Sequence, residues 1–328
     1  MPSRLLAFAL ISLVAQIASA QRGGYPPKLD GAVEHLYKTA GDVELKLYVF
    51  EPKDHAAANK RPAIVFFFGG GWVGGSPEQF EQQCRYLASR GMVAITADYR
   101  VKNRHGVKGV DCVRDAKSAI RWVRAHANEL GVDPDRIAAS GGSAGGHLAA
   151  ATATVTDFDE PSEDAAISSR PNAAVLFNPA VSFDPITADP QEKRVRSYGQ
   201  RMGVEPKSIS PDEHVDASTP PMLIMVGSDD YLIGGVRQFA DRMKAAGARC
   251  DLDLYEGRRH GFFNYRANQR NKDFYATAKS MDKFLESLGY LTGPPTVDEF
   301  FKDDRANATP KKPAKAKANG KKKIKPQE

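Results

Sequence analysis

The chain has 328 residues, of which 41% are apolar, and a formal net charge of +6. That length can bury one large core or two small ones, and no repeat of fixed period marks a solenoid or a propeller. The charge is uneven. From Ala306 to Glu328 eight lysines stand against one glutamate, so this tail carries +7 and the remainder −1. A body so near neutrality argues against a nucleic-acid protein, whose phosphate contacts need a basic face.

The first residues, MPSRLLAFALISLVAQIASA, combine Arg4, an apolar stretch over 5–17 and small residues at 18–20. They predict a secretory signal peptide (1–20) cleaved after Ala20, and hence a secreted or periplasmic enzyme or binding protein. The apolar stretch is short for a membrane span, which needs about 20 residues. Export implies an oxidising compartment. Cys84, Cys112 and Cys250 are nevertheless odd in number and fit no zinc-ligand spacing, so they read as small buried hydrophobes.

Residues 21–32 read as a loose leader. VEHLYKT (33–39) and VELKLYVFEP (43–52) alternate as strands around a turn at 40–42, a hairpin. PAIVFFFGGGW (62–72) is an apolar run ended by glycines, the pattern of a strand buried on both faces. Ser76, Pro77 and Gly91 bracket a helix, and 92–100 is the next strand. Apolar spacing from Val113 to Ala127 predicts a helix over 110–130. A strand at 136–139 leads through glycines into a helix from about Ala144. Strands at 173–180, 222–228 and 250–257 follow, with helices at 235–247 and 271–288. The 181–221 connection is long for a compact domain; it contains a helix near 191–202 and reads as a small lid or substrate wall. Residues 291–328, rich in Lys, Ala and Pro at their end, read as a disordered tail able to contact acidic polymers. The alternation predicts an α/β fold: a mostly parallel sheet with helices on both faces and an antiparallel N-terminal edge, spanning 33–290.

The chemistry concentrates at Gly141-Gly142-Ser143-Ala144-Gly145, a G-x-S-x-G motif between a strand and a helix. A sharp turn there holds the serine strained and exposed at the top of the sheet, with a helix N-terminus behind it to favour negative charge. A serine hydroxyl needs a base to become a nucleophile. Downstream, a strand ends in Asp229-Asp230, and His260 sits in a loop after the last strand. The order Ser, acid, His is that of α/β hydrolases. Gly69-Gly70-Gly71, after a buried strand, can turn backbone N–H groups inward and, with the N–H of Ala144, form an oxyanion hole. Trp72 and Tyr231 stand where they line an acyl or alcohol pocket or else pack the core.

Taken together, FFFGGGWVGG, DYRV, GVDPDRIAASGGSAGGHLAA, PPMLIMVGSDD and HGFFN resemble the esterase and lipase branch of the α/β-hydrolase superfamily, and among its members the hormone-sensitive-lipase-like and bacterial acetyl or feruloyl esterases. The resemblance runs over residues 33–289. It implies Ser143 as nucleophile, His260 as base, Asp230 as orienting acid (three residues after Gly227), and Gly70, Gly71 and Ala144 as oxyanion donors. It implies no metal or cofactor, and as substrate a small-molecule or polysaccharide ester with a short acyl group. Two positions depart from the family. Phe68 stands where His-Gly-Gly-Gly has its histidine, and Gly142 where an aspartate often precedes Ser-Ala-Gly-Gly. A long N-terminal cap is lacking, which suggests an open site. Two other functions share these motifs: a peptidase of the prolyl-oligopeptidase type, which usually needs a propeller that this length leaves no room for, and a binding protein that has kept the fold without the chemistry.

Overall fold

The computed structural model describes residues 24–183, 197 and 200–306. The expected signal peptide, most of the expected helix at 191–202 and the lysine-rich end from residue 307 lie outside the described residues. The chain divides into two compact units, one ending at Gly261 and the other beginning at Phe262, where the sequence predicts a hydrolase domain unbroken to residue 290.

The first unit is built on eight strands: β1 (Val33–Ala40), β2 (Val43–Phe50), β3 (Arg61–Phe67), β4 (Val93–Ala97), β5 (Val132–Gly142), β6 (Ala173–Phe177), β7 (Met222–Gly227) and β8 (Cys250–Tyr255). Their spatial order is β1-β2-β4-β3-β5-β6-β7-β8. β2 pairs antiparallel with both β1 and β4, and all remaining neighbours are parallel. β4, β6 and β7 are buried along their whole length, as their unbroken apolar runs require. From β3 the chain goes to one side, to β4, and then returns to the other side as β5. The strand order therefore reverses at β3/β5, and ligands of open α/β sheets bind at the carboxyl ends of strands at such a point.

Among the described residues this unit also holds helices α1 (Glu81–Ser89), α2 (Lys102–His105), α3 (Gly109–Ala125), α4 (Ala144–Thr154) and α5 (Ile233–Ala245). α4 is made of small and apolar residues apart from His147, and all of it is buried. Its C-terminal end is closed by Lys117 of α3, whose ammonium donates to the carbonyls of Val155, Thr156 and Asp157 at 3.0, 3.0 and 2.6 Å and to Asp159 at 2.7 Å. A cation at that end complements the helix dipole. It also anchors the helix whose other end carries Ser143.

Several elements differ from expectation. α1 is preceded by a tight turn of 3-10 helix at Pro77–Phe80, capped by Ser76. α3 stops at Ala125, five residues early; the His126 ring bonds back to the Trp122 carbonyl at 2.9 Å, and the chain turns through Gly131 at φ 58°. Residues 24–32 of the expected leader are docked and not loose. Pro27 and Leu29 are buried, the Tyr25 hydroxyl donates to Asp98, and the Arg104 guanidinium lies 3.7 Å from the Tyr25 ring centre. Cys84 and Cys112 are buried thiols, but Cys250, on edge strand β8, is only half-buried.

The second unit holds α6 (Lys272–Ser287), α7 (Val297–Phe300) and α8 (Lys302–Ala306). The sequence predicts disorder over 291–306, yet these residues fold onto α6. Phe301 packs against Phe274 and Tyr275 at 5.2 and 5.4 Å, the Tyr265 hydroxyl donates to Asp304 at 2.7 Å, and Arg305 lies over Tyr275 at 4.3 Å. Phe301, buried where its neighbour Phe300 is exposed, supplies the anchor that the composition of the tail as a whole obscures.

Candidate active site

Ser143 sits between β5 and α4 with φ 56° and ψ −116°. For a residue with a side chain, positive φ is uncommon and costs of order 1–3 kcal/mol. The neighbours hold it there: the Ser143 N–H donates to the Phe177 carbonyl of β6 at 2.9 Å, and its own carbonyl accepts from His147 at 3.0 Å and Ala180 at 3.3 Å. The flanking glycines permit the close approach. A methyl group on Gly145 would fall 1.9 Å from the Phe67 carbonyl oxygen, so α4 can start against the end of β3 only without one.

The structure brings Ser143, His260 and Asp230 into one chain of contacts. His260 Nε2 lies 2.9 Å from Ser143 Oγ, and His260 Nδ1 lies 2.9 and 3.1 Å from the two carboxylate oxygens of Asp230. With Nδ1 donating to the carboxylate, Nε2 is left as the acceptor facing the serine hydroxyl. Asp230 is 2% exposed, and its Oδ1 also accepts the Leu232 N–H at 2.9 Å. Asp229, one residue earlier, is exposed. Of the two aspartates, it is Asp230 that the structure places against His260.

The glycine loop lies beside the serine. A methyl on Gly69 would come within 3.4 Å of Ser143 Cβ. Gly70 and Gly71 have φ of 136° and 63°, and the Gly70 carbonyl accepts the N–H groups of Val73 and Gly74 at 3.1 and 3.2 Å, curling the loop back on itself. Among the described residues, no acceptor takes the N–H of Gly70, Gly71 or Ala144. Three contacts brace the loop. The Gly69 N–H donates to Gln79 Oε1 at 2.6 Å, the Tyr99 hydroxyl donates to the Phe68 carbonyl at 2.5 Å, and Arg201 Nη1 donates to the Gly71 carbonyl at 3.3 Å. The Phe68 ring itself is buried and stacked on Tyr99, with centroids 4.0 Å apart. At the position where the family has histidine, side-chain hydrogen bonding is replaced by packing plus a bond from Tyr99 to the backbone.

Tyr231 is half-buried with its ring 4.7 Å from the His260 ring, beside the site. Trp72 is not a pocket wall. It is 3% exposed at φ 61°, its indole N–H donates to His147 Nδ1 at 3.2 Å, and its ring meets His147 and Phe183 edge-on. The positive φ turns the indole inward, behind the glycine loop.

Two residues near the site escaped sequence reasoning. His147, one helical turn after Ser143, is fully buried. It accepts from Trp72 and donates Nε2–H to the Ile209 carbonyl at 3.0 Å, and burial pushes its pKa down to about 4, so it is a neutral strut between α4, the glycine loop and the 181–221 connection. Asn178, just past β6, is also fully buried, at φ 41°; Nδ2 donates to Asp230 Oδ2 at 3.1 Å and Oδ1 accepts the Gly261 N–H at 3.3 Å. The sequence reads this residue as part of a strand over 173–180, whereas β6 ends at Phe177, so nothing set Asn178 apart.

Residues 64–264 match the family described as alpha/beta hydrolase fold. The chain is 30% identical over 249 residues to a probable carboxylic ester hydrolase, LipM, of Mycobacterium tuberculosis, covering 68% of this chain and 57% of that one. It is 28% identical over 235 residues to an acetylxylan esterase of Xylanibacter ruminicola, covering 69% and 44%. The chain spans about half the length of the curated relatives it matches. Among solved structures, esterase 2 of Thermogutta terrifontis in its butyrate-bound form superposes with a TM-score of 0.77 at 51% identity, covering 83% of this chain and 99% of that one; the same esterase phosphonylated by sarin gives 0.77 at 51%, covering 82% and 99%. The chain belongs to the α/β-hydrolase-fold family, in its esterase and lipase branch.

Proposed function

We propose that this protein is an exported serine hydrolase of carboxylic esters with short acyl groups, acetyl to butyryl, carried on small molecules or carbohydrates. One observation carries the reading: a serine at positive φ whose hydroxyl meets His260 Nε2 at 2.9 Å, with Asp230 on the other ring nitrogen at 2.9 Å. Ser143 Oγ attacks the ester carbonyl as His260 Nε2 takes its proton. Asp230 holds the ring in the Nδ1–H tautomer and stabilises the imidazolium that forms. The negative oxygen of the tetrahedral intermediate lies toward the N–H groups of Gly70, Gly71 and Ala144; one such donor is worth about 3 kcal/mol of barrier. Collapse releases the alcohol with the proton from His260, and water repeats the sequence to free the acid.

The short-acyl preference draws support from relatives. The neighbouring esterase was solved with butyrate bound, and a relative is named an acetylxylan esterase. Export rests on the first twenty residues. Hydrolysis of p-nitrophenyl acetate, butyrate and octanoate by the full-length protein and by Ser143→Ala tests the reading. Activity on the two shorter esters that vanishes in the variant is the expected result. Equal activity in the variant would overturn the nucleophile assignment, and faster turnover of octanoate would overturn the acyl preference.

A further inference from the structure

Asn178 lies outside the proposed triad but touches two of its supports. It follows β6, in chain order far from both Asp230 (after β7) and His260 (after β8). Its side chain is fully buried between those two loops, and both ends of the amide are used: Nδ2–H on Asp230 Oδ2 at 3.1 Å, and Oδ1 on the Gly261 N–H at 3.3 Å. Its own N–H reaches across to the Met225 carbonyl of β7 at 2.8 Å. With the bonds from Leu232 and His260, the Asp230 carboxylate has three kinds of donor, and Asn178 is the only side-chain amide among them in the described residues. The backbone at φ 41° is one that Asn and Asp adopt several times more readily than other side chains.

We propose that Asn178 is a positioning residue for the hydrolytic reaction: a clip that fixes the Asp230 carboxylate and the His260 loop to each other, so that the imidazole faces Ser143 in one tautomer and one orientation. This rests on the triad reading above. The choice of residue follows from chemistry. A buried carboxylate needs its remaining lone pairs satisfied by donors. A neutral amide supplies a donor to the carboxylate and an acceptor to the Gly261 N–H without adding charge. An aspartate would have the same shape and tolerate the same φ, but would set a second carboxylate against the first.

Two variants separate positioning from mere structural support, with turnover counted per serine titrated by a fluorophosphonate so that misfolded protein drops out. Asn178→Ala is expected to lower kcat about ten- to hundredfold, the scale for losing a hydrogen bond to a charged group, with KM within about twofold. Asn178→Asp is expected to behave differently. Below neutral pH the introduced carboxyl and that of Asp230 share one proton, the protonated introduced group donates in place of the amide, and turnover stays within a few-fold of wild type. As pH rises that proton leaves, the charges repel, and kcat/KM falls on an alkaline limb absent from the wild-type profile. A purely structural role would lower the melting temperature or the titratable fraction of both variants, while kcat per titrated site and the shape of the pH profile match wild type; that result would overturn the proposal. Wild-type protein that takes up no fluorophosphonate would instead sink the triad reading itself, so the two failures are distinguishable.

Discussion

Replacing Gly145 by alanine tests how tightly α4 is seated against β3. The added carbon would lie 1.9 Å from the Phe67 carbonyl oxygen and 2.5 Å from that of Phe68. Relaxed C···O contacts run at about 3.3–3.6 Å, so the start of α4 and the end of β3 must part by roughly 1.4 Å. Both obstacles are backbone, and one belongs to a strand hydrogen-bonded on either side, so neither can swing away. Overpacking a core costs about 1–3 kcal/mol, and a rigid obstacle puts this case at about 3. For a domain of this size that lowers the melting temperature by about 6–12 °C. The same shift moves Ser143 relative to the Gly70–Gly71 loop, and a misplacement of about 1 Å at a reacting centre can cost on the order of a hundredfold in rate. Thermal unfolding followed by circular dichroism, with p-nitrophenyl butyrate turnover per titrated serine, reads both effects. A Gly145→Ala protein that melts within 2 °C of wild type (~1 kcal/mol or less) and keeps its turnover would refute the packing argument.

The neutral His147 strut gives a pH signature. Its pKa is held near 4 in the fold against an ordinary 6.5, so between those values the unfolded chain takes up a proton that the folded chain refuses. Stability from this group is complete above 6.5 and is lost as pH falls toward 4, in all by about 3 kcal/mol. Urea unfolding at pH 7 and at about pH 4.5 should therefore show wild type losing some 2–3 kcal/mol more on acidification than His147→Gln; identical losses would contradict the assignment. Tyr99→Phe keeps the stack on Phe68 but leaves the Phe68 carbonyl without its donor, at a cost of about 1–3 kcal/mol. We expect a lower melting temperature and a reduced kcat at unchanged KM, and an unaltered kcat would show that the loop does not depend on this bond.

What was legible in the sequence, and what was not, divides by range. Unbroken apolar runs announced β3, β4, β6 and β7, because a strand buried on both faces has no polar positions to hide. Ser143, the Asp229-Asp230 pair and His260 were legible because each follows a strand at the carboxyl end of a parallel sheet, whereas the preference for Asp230 over Asp229 came only from the family resemblance. Helix ends slipped by a few residues where a side chain competed for a backbone group, as His126 does at the end of α3. Contacts between distant segments were invisible. Tyr25 on Asp98 spans 73 residues, Trp72 on His147 spans 75, and Asn178 on Asp230 spans 52. None belongs to a local pattern. The first docks residues 24–32 of a segment read as a loose leader, and the second places Trp72 in the core, one of the two positions the sequence left open.

The central claim is that Ser143 is an activated nucleophile whose activation comes through His260. Peptide mass spectrometry after brief treatment with a fluorophosphonate measures this directly, in the wild-type protein beside His260→Ala. The account predicts a single adduct on the peptide carrying Ser143 in wild type and little or none in the variant over the same time. An adduct elsewhere, none at all in folded wild type, or equal labelling without the histidine would contradict it.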